Sequence, residues 1–342
     1  MNNPLVSIIE EDAKAVIASV DLSKLSGKTI LLTGASGLIG TYFLASMREC
    51  SRNQNNPIKV TAVVHSELSN TFKALLDFEG ACVVSGDLTD LSFVSGLGKF
   101  DFIIHAAGYG QPGLFMADPV KTIKLNTFTT LSLFDNLAEG GRFLFISSSE
   151  VYSGHPNPPY LETQIGTTNT THPRSCYIEA KRCGEAICNA YRTRGVNASS
   201  ARLALAYGPG TKPHDHRVLN SFVERGLIQK KIILQDMGAA KRTYCYVSDA
   251  VEIFWHIMLF GTDPIYNVGG ETNTTIAELA RKVGHYLDVP VRFPTDSREV
   301  GGAPEDVSLD MSLVKKQFNK TQYVSFDSGL ARTINWQKVL YS

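Results

Sequence analysis

Short apolar, β-branched runs alternate with longer amphipathic stretches through the first two thirds of the chain. The run at 28–33 is continuous rather than alternating, as expected of a strand covered on both faces. Similar runs predict strands at 58–65, 81–85, 101–105, 142–146 and 198–205. Between them a helical period predicts helices at 38–49, 68–78, 119–138 and from Tyr177 to about Arg194. A leading helix is expected at 7–20, with Ser7 and Glu10 spaced as a capping box. This alternation predicts an α/β protein built on a Rossmann-type, doubly wound parallel sheet.

After Tyr207 the pattern loosens. Pro- and Gly-containing stretches occur at 208–213 and 301–304, with short helices expected at 218–228 and 275–287. The segment 242–255 reads as a strand end followed by a helix that returns to the first lobe. The expected division is an N-terminal helical extension at 1–27, a nucleotide-binding domain at 28–206 plus 241–264, and a smaller α/β lobe at 207–240 plus 265–342. In such a sheet, ligands sit beyond the carboxyl ends of the strands.

Composition narrows the class. The 342 residues carry 33 basic and 33 acidic side chains, so no charge field points to nucleic acid or to a membrane surface. No apolar stretch approaches the roughly 20 residues of a membrane helix. The N-terminus lacks the basic and apolar regions of a secretory signal. Six cysteines form no C-x-x-C pair and no metal-ligand rhythm, so reduced thiols in a cytoplasmic protein without a metal are expected. Cys176 is read as packing.

Two motifs carry chemistry. Gly34, Gly37 and Gly40 follow the first strand and open a helix, where glycine lets backbone N–H groups approach a pyrophosphate. Tyr177 and Lys181 lie four apart, on one face of a helix. A nearby cation favours phenolate, so the lysine is expected to pull the tyrosine down toward neutrality for proton transfer coupled to hydride transfer.

With Asp87, His105 to Gly108, Asn126, the segment Ser147 to Tyr152, Tyr207 to Pro209 and Arg242 to Asp249, these motifs make the chain resemble the extended short-chain dehydrogenase/reductases that modify nucleotide sugars. The resemblance covers about residues 28 to 325, and the nearest subgroup is similar to UDP-glucuronate decarboxylase. It implies NAD(P)H as cofactor, a nucleotide-diphosphate sugar as substrate and a homodimer built through 119–138 and 176–194. Tyr177 would be the acid/base, Lys181 would hold the nicotinamide ribose, and Ser148 would hold the reacting sugar oxygen. Glu150 would be a second proton carrier. Gly34, Ser36, Gly37, Leu38, Ile39, Gly40 and Ala106 would hold the cofactor, with Asp87 and Leu88 at the adenine. Arg217 and Arg242 would bind the diphosphate.

Three departures bear on the reaction. Ser149 stands where dehydratases carry an acid, which disfavours elimination. His65 and Ser66 replace the acidic residue that grips the ribose 2′-hydroxyl, so NADPH becomes usable. Leu205 replaces an asparagine near the diphosphate. These departures favour reduction of a dTDP- or UDP-linked 4-keto-6-deoxyhexose for a surface polysaccharide. UDP-glucuronate decarboxylation or 4-epimerisation is the alternative, and a non-catalytic nucleotide sensor a distant one.

Overall fold

The computed structural model describes residues 4–52, 56–65, 67–295 and 306–342. Ser66 and the stretch 301–304 lie outside the described residues. The first six strands are β1 (Thr29–Thr33), β2 (Lys59–Val64), β3 (Ala81–Ser85), β4 (Phe100–His105), β5 (Leu137–Ser148) and β6 (Asn197–Leu203). Next come β7 (Leu205–Tyr207), β8 (Ile232–Ile233), β9 (Lys241–Tyr246) and β10 (Ile265–Val268). The last three are β11 (Thr272–Thr275), β12 (Val291–Arg292) and β13 (Asp306–Val307).

Seven strands form one parallel sheet in the order β10-β6-β5-β4-β1-β2-β3. The doubly wound α/β expectation holds. Alternate residues explain why the strands read as continuous apolar runs. Ile30 and Leu32 enter a core on one face while Leu31 enters a second core on the other. Each such side chain contributes roughly 1.5–3 kcal/mol by leaving water. The strand order reverses between β1 and β4, and the crevice there opens at Thr33 and His105.

The chain leaves this sheet at Ala204. From there β7 pairs with β9, which also pairs with β11 and β13, over a third apolar cluster. β10, assigned by sequence to the smaller lobe, instead pairs with β6 at the edge of the large sheet. β9, assigned to the first domain, belongs to the second sheet. Partner strands are long-range facts that local pattern does not carry.

Two helix expectations are corrected. The leading helix spans Pro4–Ser19, so Ser7 lies inside it and Glu10 pairs with Arg48 and Arg52 rather than capping. The helix expected at 119–138 is instead Pro119–Asn126 and Phe128–Phe134, and β5 already begins at Leu137. The break has its cause in the neighbouring strand and in two of the helix's own threonines. His105 Nε2 bonds the Leu125 carbonyl at 3.0 Å, while Thr127 Oγ1 and Thr130 Oγ1 back-bond to Ile123 and Asn126. Such back-bonding bends a helix.

Candidate active site

β1 delivers the chain into a turn that only glycine tolerates. Gly34 has φ +67°, and a Cβ there would lie 2.5 Å from the Ala106 carbonyl oxygen. A Cβ on Gly40 would lie 2.3 Å from the Gly34 oxygen. Gly37 is the N-cap of helix Leu38–Ser51, whose first N–H groups face the cleft. The closeness of these backbones makes a cradle that fits a dinucleotide pyrophosphate. Gly34, Gly37, Leu38, Ile39, Gly40 and Ala106 all line one cleft of about 1470 Å³. Ser36 sits in the same turn without lining it.

The same cleft reaches Ser148, Glu150, Tyr177 and Lys181. Ser148 ends β5, and Tyr177 opens helix Ser175–Arg192, which lies close against β5 because residue 184 is glycine. A Cβ at Gly184 would meet the Phe145 ring at 2.3 Å. Tyr177 stacks on Phe115, centroids 4.5 Å apart, and its phenol lies near enough to Ser148 for the serine to act on it. Lys181 Nζ donates to the Ile146 carbonyl at 2.7 Å and lies 5.7 Å from the Tyr177 ring centre.

The electrostatics correct the expected tuning. Burial pushes the Tyr177 phenol up to about 12, partly offset by Ser148 and, more weakly, by Arg174 and Arg217. Burial lowers the Lys181 amine to about 7, against the pull of Glu185. Removal from water outweighs the neighbouring cation. In the protein alone Tyr177 is a proton donor.

Beyond Tyr177 lies a charged corner. Glu150 is paired with Arg174, and its Oε2 is buried without a partner among the described residues. Burial raises the Glu150 carboxyl, opposed by Arg174, Arg242 and His172. Arg242 lines the cleft and donates to the Lys241 carbonyl. Arg217 also lines it, but its guanidinium is held by Asp215 at 2.6 Å. Arg174 was missed by sequence reasoning. As the residue preceding the Tyr177 helix its place was visible, but its pairing with Glu150, 24 residues away, was not.

Other expected residues lie apart. Asp87 is bound by Lys121 at 2.8 Å and by the Thr89 amide, which hold its carboxyl down at about 2 against burial. Leu88 is buried, and neither residue lines the cleft. His65 is exposed at the end of β2, 3.8 Å from Asp87. Asn126 turns its Nδ2 to the Thr122 carbonyl and leaves Oδ1 buried and unpartnered among the described residues. Leu205 lines the cleft. No helix among the described residues is long and apolar enough to cross a membrane.

A family model described as NAD dependent epimerase/dehydratase family matches residues 30–269. The chain is 31% identical over 310 residues to UDP-glucuronic acid decarboxylase 6 of Arabidopsis thaliana, covering 89% of this chain and 87% of that protein. It is 26% identical over 320 residues to UDP-glucuronic acid decarboxylase 1 of Xenopus tropicalis, covering 92% and 73%. Among solved structures, a Thermotoga maritima UDP-glucose 4-epimerase superposes with a TM-score of 0.79 at 22% identity, over 92% of this chain and 100% of that one.

Proposed function

The chain belongs to the NAD-dependent epimerase/dehydratase family, and from that premise we propose that it oxidises C4 of a UDP-linked uronic acid, releases the C6 carboxyl as carbon dioxide and reduces C4 again. The observation that carries this reading is the charge around Glu150. Two guanidiniums that line the cleft, Arg174 and Arg242, both act on the Glu150 carboxylate there. Guanidiniums so placed can bind a sugar carboxylate through charge-assisted hydrogen bonds, which a methyl or hydroxymethyl group could not accept with the same strength. The relatives named as UDP-glucuronic acid decarboxylases support the same reading.

Gly34, Gly37, Gly40 and Lys181 would hold the cofactor. Bound NAD supplies the hydride acceptor and donor and, when oxidised, a positive charge that favours the Tyr177 phenolate. Tyr177 takes the C4 hydroxyl proton while Ser148 holds the same oxygen. Once C4 is a ketone, the C6 carboxylate is β to it. Loss of carbon dioxide moves the C5–C6 electron pair into an enolate whose C4 oxygen Tyr177 and Ser148 bond. Arg174 and Arg242 orient the carboxylate, and C5 takes a proton from solvent relayed through Glu150, whose carboxyl burial raises. Tyr177 then returns its proton to the C4 oxygen as C4 is reduced.

The test is incubation of the protein and NAD with UDP-glucuronate. Carbon dioxide and a UDP-pentose are expected. Their absence, together with NADPH oxidation by a nucleotide-linked 4-keto-6-deoxyhexose, would replace this reading with the reductase. One observation favours that second reading: exposed His65 in place of an acid at the end of β2, which leaves room for a 2′-phosphate. The exposed apolar side chains Leu114, Met116, Val120, Ile123, Phe128 and Leu131 support a homodimer through this face. Light scattering reads the mass.

A further inference from the structure

Behind the catalytic residues, and outside the cleft, lies a buried ion pair that the mechanism above does not use. Glu185 sits on helix Ser175–Arg192, one turn past Lys181 and two past Tyr177. Arg202 lies on β6 directly opposite Ser147 of β5. Both are almost wholly buried, and Arg202 Nη2 meets Glu185 Oε2 at 2.8 Å while Nε reaches both carboxylate oxygens at 3.0 and 3.2 Å. The remaining Arg202 donor reaches Tyr152 Oη at 2.8 Å and the Glu162 and Gln164 carbonyls at 3.0 Å. Ser147 Oγ donates to Glu185 Oε1 at 2.5 Å.

Two consecutive residues of β5 are thus tied to two positions one turn apart on the helix. Ile146 receives Lys181 and Ser147 donates to Glu185, which sets the next residue, Ser148, near Tyr177. A slip of one residue in the strand would break both bonds at once.

Resting on the hydride-transfer reading of Tyr177, we propose that Glu185 and Arg202 form a positioning unit. They hold the helix–strand register that brings Tyr177 and Lys181 to Ser148, and Glu185 supplies the negative charge that keeps the buried Lys181 ammonium in place. The groups facing Glu185 are Lys181 and Cys188 on its own helix, Arg202 on β6, Ser147 on β5 and Tyr152 beyond it. Lys181 is faced by Glu185, by Tyr177 and by His105 of β4. Burial holds that imidazole at about 3, so it is neutral and offers no countercharge. Glu185 is therefore the acidic group acting on Lys181 among the described residues.

Both positioning residues touch the reaction only through others, so activity alone would not separate this role from general stability. The experiment uses Glu185→Gln, Glu185→Asp and the apolar double variant Glu185→Leu/Arg202→Met, which removes both members of the Glu185–Arg202 pair and so leaves no unpaired guanidinium behind. The first readout is the NMR titration of Lys181 in the cofactor-free protein, assigned by its loss in Lys181→Met. The midpoint is expected to move to lower pH in Glu185→Gln and in the double variant, and back toward wild type in Glu185→Asp. The second is kcat against KM on UDP-glucuronate. A fall in kcat of about tenfold or more, with KM little changed, is expected for a misplaced acid/base group. A folded double variant with wild-type titration and kcat would overturn the proposal. If Glu185→Gln does not fold, the double variant decides. Wild-type protein inert toward UDP-glucuronate would sink the decarboxylase reading and leave the titration standing as the test of this one.

Discussion

The two ends of the cleft are built on opposite principles. At Tyr177 and Lys181 the surroundings are aromatic and the groups are buried: Phe115 stacks on the phenol and Phe145 lies 4.8 Å from the ammonium. Burial governs there, pushing the tyrosine to about 12 and the lysine to about 7. At Glu150 the surroundings are charged, with Arg174 and Arg242 on one carboxylate. The first end is suited to moving a proton and hydride at any secondary alcohol held against Ser148. Under the proposed function the second would select what hangs from the neighbouring carbon. Redox competence and substrate choice would then reside in different residues, and substitutions should separate them.

The largest separation is expected from Tyr177→Phe. Turnover should fall by about 10²-fold or more through loss of the acid/base group, with NAD affinity retained in a binding titration. Next, Arg242→Ala should weaken kcat/KM for UDP-glucuronate by roughly 1.5–3 kcal/mol, the value of a hydrogen bond to a charged group. Its effect on a neutral UDP-hexose should be much smaller, and steady-state kinetics on the two sugars reads the difference. An equal loss on both would merge the two ends into one. A smaller effect concerns Lys181 and pH. Its folded-state value of about 7 lies below the ordinary 10.5, so between those values the unfolded chain binds the extra proton. Stability from this group is complete above about 10.5 and is lost as pH falls through 7. Thermal melts of cofactor-free wild type and Lys181→Met should therefore diverge in favour of wild type as pH rises above 7. The smallest change is at the adenosine end. His65→Asp should shift preference from NADP toward NAD by repelling a 2′-phosphate, measured as the ratio of the two dissociation constants.

What was legible in the chain follows the range of each interaction. Gly34, Gly37 and Gly40 declared their turn because the strand before and the helix after are adjacent in sequence. Tyr177 and Lys181 declared a shared helix face by their spacing. The sign of the tyrosine's shift was misjudged because spacing reports the cation but not the burial. The kink at Thr127 was hidden because its cause, the His105 ring on the Leu125 carbonyl, spans 20 residues. Likewise Arg174 on Glu150 and Arg202 on Glu185 join elements that only the folded sheet brings together. The passage of the chain from β6 into β7 at Ala204, which splits the two sheets, left no composition signal at all.

In the proposed cycle one site removes hydrogen from C4 and returns it to the same carbon after the carboxyl has gone. UDP-glucuronate deuterated at C4 tests this directly, with mass and NMR analysis of the pentose product. Carbon dioxide release with deuterium retained at C4 is expected. Product with hydrogen from solvent at C4, or intact UDP-glucuronate after prolonged incubation with NAD, would contradict it.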